Sequence, residues 1–299
     1  MLGPGPLEEK GRATMRVVAR SDEELLELEG NRLMGAAPHL VGSSVEFLGS
    51  DNILFCEEGV TLKNARISFK GSGGVVYLAA SKHPVYAEII VWDGSTFFLG
   101  SNSYINPGEP LHAVASERRT IFIGDDALVS FGVWVRTADP HLVYRVSDMT
   151  RVNQSKDVVV GDHVWLGQEA LLLKGTVVGS GSIVAARAVC AGKRIPSNTS
   201  WAGNPARQVA EGVFFSKQSV HAFSPEQSEH FDTFRKDSYI YGPRRRAGEI
   251  ADEIGRISAE RSPERRVELL RSGYHDCADK NRLAVMSEPA PPRRGLFRR

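Results

Sequence analysis

Cysteine is scarce in this chain. Three occur in 299 residues (Cys56, Cys190 and Cys277), far apart and odd in number. Such spacing offers neither a disulfide framework nor paired metal ligands, and it suits a reducing cytoplasm. Also missing is any apolar run near the ~20 residues needed to span a bilayer. The opening MLGPGPLEEKGRATM lacks the basic-then-apolar order of a secretory signal. Nor is there an excess of one charge. With 37 Lys and Arg against 36 Asp and Glu, the net +1 gives no global reason to bind nucleic acid. At 41% hydrophobic and 24% charged residues, the chain has the composition of a soluble globular protein, one large domain with appendages or two domains.

What is present is a repeat. From Val160 to Val189 the chain reads VGDHVW, LGQEAL, LLKGTV, VGSGSI, VAARAV, five six-residue units in register. An aliphatic residue opens each unit (Val160, Leu166, Leu172, Val178, Val184), and Cys190 takes the next such slot as a small hydrophobe. The second position is Gly or Ala in four units, and the fifth is always small or β-branched: Val164, Ala170, Thr176, Ser182, Ala188. A period of six would smear the apolar positions around a helix of 3.6 residues per turn. A short strand with a tight corner accommodates it, with positions one and five inward and the small second residue easing the bend. The pattern predicts a parallel β-helix, each turn burying its apolar face against its neighbours.

Ser21 to Glu24 reads as a helix N-cap with acids in the first turn, and Leu25, Leu26, Leu28 and Leu33 predict a short helix ended by Gly35-Ala36-Ala37-Pro38. From about 45 to 105, β-branched and aromatic residues broken by Gly and Asn predict earlier turns of the same solenoid. Residues 106–120 break the pattern and predict a loop. The register returns at Ile123 and runs to Pro140; the spacing from Val135 to Val160 then exceeds whole hexads, so residues 141–157 must leave the wall as an excursion. Loops held by a rigid scaffold are where function concentrates. Ser224-Pro225-Glu226 starts a helix, and residues 211–240 are suited to capping the open end of the solenoid. From Gly242 onward there are fourteen Lys and Arg against nine Asp and Glu, with one helix predicted over 247–271. The tail PAPPRRGLFRR reads as disordered, able to touch anionic surfaces weakly. The expected organisation is a leader and short helix over 1–40, the β-helix over 41–210, and a partly helical, charged extension over 211–299.

His141 stands where the wall opens, two residues after Asp139 in RTADPHLVY. An imidazole oriented by such a carboxylate can accept a proton near neutral pH; alternatively the histidine bonds only to its loop. Trp165, sixth in its unit, should face outward and need covering by a ligand or a subunit. Trp134 has the equivalent slot earlier and reads as an interface residue. His163 lies at a corner and reads as structural or interfacial.

The stretch DPH, a loop, GDHVWLGQEALLLKGTVVGSGSIVAA, then IPSNTSWAGNPAR resembles the left-handed β-helix hexapeptide acyltransferases. It looks most like the O-acetyltransferases of bacterial surface polysaccharides and is similar to galactoside and xenobiotic acetyltransferases. The likeness is specific over about 120–210 and looser over 45–119. It implies a left-handed coil, homotrimers with active sites between subunits under the ejected loop, and acetyl-CoA as co-substrate for a carbohydrate acceptor. By the same resemblance His141 matches the general base and Trp165 borders the acetyl-CoA and acceptor site. Gln168 and Ala186 match contacts to the pantetheine arm, and Arg207 the basic residue near the nucleotide phosphates, with Lys193 and Arg194 as further cations. The segment AARAVCAGKRIP departs from the usual pattern by one residue. Amino-sugar N-acetylation would use the same base. A γ-carbonic-anhydrase-type metal enzyme needs two close histidines, a pair not found among the eight present. A scaffold without chemistry is the remaining alternative.

Overall fold

The computed structural model describes residues 16–287. Their backbone winds into a left-handed parallel β-helix of about seven turns, and each turn contributes one strand to each of three faces. The first face runs from Val17–Ala19 through Ser44–Phe47, Arg66–Phe69, Ala87–Val91, Leu111–Ala115, Trp134–Arg136 and Leu171–Leu172 to Val189–Cys190. The second runs from Arg32–Gly35 through Ile53–Cys56, Val75–Leu78, Thr96–Leu99, Thr120–Ile123, Val158–Val160 and Val177–Val178 to Arg194–Ile195. The third contains Tyr104–Ile105, Leu128–Val129, Trp165–Leu166, Ile183–Val184 and Thr199–Ala202, with the short pair His39–Val41 and Thr61–Lys63 beneath. Pairing between the turns is parallel; the antiparallel pairs are Val17–Ala19 on Ser44–Phe47 and Arg207–Glu211 on Thr199–Ala202.

The hexad positions behave as their chemistry demands. Residues at positions one and five are at most 1% exposed throughout Val160 to Val189. The role of position two differs from the expected one. The left-handed backbone that turns each corner falls on position four, at His163, Glu169, Gly175, Gly181 and Arg187, with φ between 51° and 80°. Position two is small because the next turn lies directly on it: a Cβ on Gly167 would sit 2.5 Å from the Ala186 amide nitrogen. The constraint is stacking between turns, not bending within one.

Three expectations are corrected. Residues 106–120 are not a loop outside the coil: Leu111–Ala115 and the start of Thr120–Ile123 are strands of the first and second faces. The earlier turns simply have longer strands and corners than the strict hexad. The helix predicted after Ser21 is a single 3-10 turn, Glu24–Leu26, and the chain becomes a strand at Arg32–Gly35 because that segment pairs in parallel with Ile53–Cys56. The helix predicted over 247–271 is two helices, α2 (Ala247–Ala259) and α3 (Pro263–Leu270), since Pro263 has no amide hydrogen to continue the first. The short helix α1 (Pro225–His230) does start at Ser224, with a capping box to Gln227.

Nor does 211–240 close the end of the coil. Phe215, Tyr239 and Tyr241 lie along the corner between second and third faces, beside His163, Gly181 and Asn198. Residues 247–285 then cover the outside of the second face. Ile250, Ile254, Ile257, Val267, Leu270 and Tyr274 form one buried cluster with the outward side chains of Ile53, Val75, Tyr77, Phe98, Phe122 and Val159. Two arginines pin this strap. Arg266, fully buried, donates to the carbonyls of Gly73, Gly94 and Ser95 and to Thr96 Oγ1. Arg282 joins Asp125 and Asp162. The PAPPRRGLFRR tail lies outside the described residues.

Candidate functional site

The loop expected to leave the wall does so at the corner between first and second faces, between Trp134–Arg136 and Val158–Val160. Its tip is a narrow hairpin closed by Arg145 and Thr150. The base is tied to the previous turn: the Arg151 guanidinium grips both Glu117 oxygens at 2.8 Å, and Ser155 also donates to Glu117. Arg151 and then Ser155 hold the Glu117 carboxyl down at about 2. The stretch between carries exposed Leu142, Val143, Tyr144, Val146 and Met149, an apolar surface that none of the described residues covers.

His141 is exposed, and its ring has no hydrogen bond, ion pair or ring contact among the described residues. Asp139 does not orient it, contrary to the expectation from their spacing. The Asp139 carboxylate turns instead to Lys174 Nζ at 2.5 Å and to Asn153 Nδ2 at 3.1 Å. Lys174 is the main reason its carboxyl titrates below the usual range. The physical reason is competition: Lys174 on the next turn and Asn153 hold the carboxylate. Asn153 does link the two residues, donating to the His141 carbonyl at 2.7 Å as well as to Asp139. Asp139 thus positions the backbone of His141 through Asn153. Neither Asn153 nor Lys174 had a sequence signal: Asn153 meets Asp139 and His141 only where the loop closes on itself, and Lys174 reaches Asp139 across turns.

Trp165 lies on the third face, 37% exposed, its indole nitrogen donating to Ser130 Oγ at 3.2 Å and its ring against Phe215. Gln168 and Ala186 stack at the next corner, between third and first faces, where the Arg187 amide donates to the Gln168 carbonyl at 2.7 Å. The Gln168 side chain is occupied by Glu169, which also pairs with Arg187. One turn on, the column continues through Gly203 to Arg207, exposed and paired by backbone to Ala202. These residues line one edge of the molecule. Lys193 does not join them; it follows Val189–Cys190 and stands at the corner from which the His141 loop leaves. His141 and the Gln168–Ala186 wall are therefore on opposite edges of the first face. Gln168 and Lys174 are six positions apart in sequence, at most ~20 Å of extended chain.

Trp134 is half-buried on the outside of the first face, stacked on His112 with centroids 4.1 Å apart. His163 is structural, 1% exposed between Phe215 and Tyr239, with Nδ1 at 2.6 Å from Asp126. Both buried cysteines have thiols pushed up by burial, Cys190 to about 11, which makes them poor nucleophiles. Among the described residues no cluster of His, Cys, Asp and Glu could hold a metal ion, and no helix is long and apolar enough to cross a membrane.

No protein-family model matches the chain. It is similar to the polysialic acid O-acetyltransferase of Neisseria meningitidis, 25% identical over 128 residues, covering 43% of this chain and 58% of that protein. It is also similar to the polysialic acid O-acetyltransferase of Escherichia coli O1:K1, 26% identical over 195 residues, covering 58% of this chain and 62% of that protein. The chain thus matches only about three-fifths of the length of each. Among solved structures, the polySia-specific acetyltransferase NeuO superposes with a TM-score of 0.58 at 25% identity, over 68% of this chain and 93% of that one. The fold and the sequence relatives agree with the resemblance to hexapeptide-repeat β-helix acetyltransferases.

Proposed function

We propose that this protein is an acetyl-CoA-dependent O-acetyltransferase that modifies a sugar hydroxyl of a surface polysaccharide or its precursor in the cytoplasm, and that it works as a homotrimer. The observation that carries the reading is the division of the site. A histidine with no partner on its ring among the described residues projects from one edge, and Gln168, Ala186 and Arg207 line the other, with Trp165 on the adjoining third face. Two copies side by side would bring one edge against the other, and the exposed apolar hairpin of one copy would be covered by its neighbour.

The wall suits a coenzyme arm. Gly167 admits no Cβ, so the backbone packs flat, and exposed Ala186 leaves that flatness open to solvent. Arg207, without an ion pair among the described residues, would take phosphate charge. When bound, acetyl-CoA supplies the thioester carbonyl. His141 removes the hydroxyl proton as the sugar oxygen bonds to that carbonyl carbon, and returns it to the sulfur as the carbon–sulfur bond breaks. Trp165 walls the reacting groups from water. No acyl-enzyme is required, in keeping with the buried cysteines; orientation and carbonyl polarisation do the rest.

The test is thiol release from acetyl-CoA with a panel of sugars and acidic glycans. Acceptor-dependent release should fall at least ~100-fold in His141→Ala with coenzyme binding intact. Undiminished release would put the base elsewhere. No release and no coenzyme binding by calorimetry would leave a scaffold without chemistry.

A further inference from the structure

The segment between the third face and the strap encloses a cleft of about 560 Å³. Phe231, Phe234 and Tyr239 supply its apolar walls and Arg235 and Lys236 its charges, with the His230 ring, hydroxyls and one amide making up the rest. The same stretch of chain holds four acids, Glu226, Glu229, Asp232 and Asp237, and none of them lines the cleft. Neither Arg235 nor Lys236 makes an ion pair among the described residues. Lys217, the other cation of the stretch, is paired with Asp126 outside the cleft, so Arg235 and Lys236 put positive charge on a small concavity whose lining holds no acid.

The cleft is also connected to Trp165. Tyr239, one of its walls, stacks on His163 at 3.8 Å, His163 stacks on Phe215 at 4.1 Å, and Phe215 meets Trp165 at 5.8 Å. This path follows the corner between second and third faces. The wall formed by Gln168 and Ala186 lies at the opposite edge of the third face. A ligand in the cleft therefore approaches Trp165 from the side away from the coenzyme wall, the side left to the acceptor.

We infer that the cleft is a second binding site for an acidic glycan, holding sugars of the acceptor chain other than the one acetylated. The inference rests on the acetyltransferase reading. Guanidinium and ammonium groups recognise sugar carboxylates, aromatic faces pack against the apolar faces of the rings, and hydroxyls complete the contacts. A polymer can fill the cleft and still present a hydroxyl near Trp165; a single sugar cannot do both. The site would favour long acidic acceptors over short or neutral ones.

The probes are sialic acid oligomers of increasing length, hyaluronan oligomers and neutral dextrin, with the full chain and an R235A/K236A variant. Losing two charge-assisted contacts should raise KM for long acidic oligomers roughly tenfold or more, with kcat, coenzyme KM and the shortest acceptor unchanged. Calorimetry of the longest sialic acid and hyaluronan oligomers should show the same loss of affinity without any turnover. A raised coenzyme KM would overturn the inference in favour of a nucleotide phosphate site. Equal loss for short and long acceptors, or no change, would also overturn it. Retained oligomer binding lost in R235A/K236A, in a protein that transfers no acetyl group, would uphold the cleft and defeat the enzymatic reading instead.

Discussion

Glu117 and Arg151 are 34 residues apart in sequence and meet at 2.8 Å because one stands at a corner and the other at the foot of the loop leaving the corner above. The pair is partly exposed, so its contribution to global stability is small; its effect is local. The carboxyl is held well below its ordinary 4.5, so this contact is complete above that value and is lost as the pH falls toward about 2. We expect hydrogen exchange of residues 139–153 to quicken over that acid range while the coil stays protected. Glu117→Gln should show the faster exchange at neutral pH, with a several-fold lower kcat and little change in thermal midpoint. Unchanged exchange in the variant would mean the hairpin is held by other contacts. His141 and Trp165 stood out in the sequence because an outward slot and a break in register are both readable along one strand. Glu117 and Lys174 did not, since each acts on a residue brought close only by stacking of turns, and Asn153 did not, since its partners meet it only where the loop closes on itself.

The strap over the second face explains what the hexad pattern could not. ILFC, VVYL, TFFL and TIFI are apolar at consecutive positions, where a sheet with one wet face would alternate. Their outward residues are buried beneath α2 and α3, so the runs already carried the sign of a second layer. Read only as coil, they gave no hint of what covered them. Arg266 was equally opaque: as one cation in a charged helix it looks solvated, yet it is enclosed and its burial lowers its pKa to about 10. Replacing it by Met leaves several carbonyls without a donor and should destabilise by roughly 2–5 kcal/mol. Ile254→Ala, which only opens a cavity, should cost a similar ~2–5 kcal/mol. Urea titration would check both. If the strap melts separately from the coil, two transitions will appear and the first alone will shift.

At the scale of the whole molecule, a repeat gives every turn the same three faces, and function arises where the three are made unlike. Here the second face is closed by the chain itself, its flanking corner carries the 213–241 segment, and none of the described elements crosses the first face between the His141 loop and the Gln168–Ala186 wall. Under the proposed assembly, the chain covers the surfaces that a neighbouring copy would not need. If the site forms across copies, His141 and Trp165 in one site belong to different chains. His141→Ala and Trp165→Ala would each be inactive alone. Mixed from equal amounts of the two unfolded chains and refolded together, a site regains both residues when its His-bearing copy is the Trp165→Ala chain and its Trp-bearing copy is the His141→Ala chain. With random assortment that occurs at about a quarter of the sites, so activity should return to about a quarter of that of identically refolded wild type. Mixtures that stay inactive, with native mass spectrometry showing mixed oligomers, would place both residues in one chain's site and remove the argument for assembly. Recovery would make the open first face the catalytic surface, with each copy completing the next.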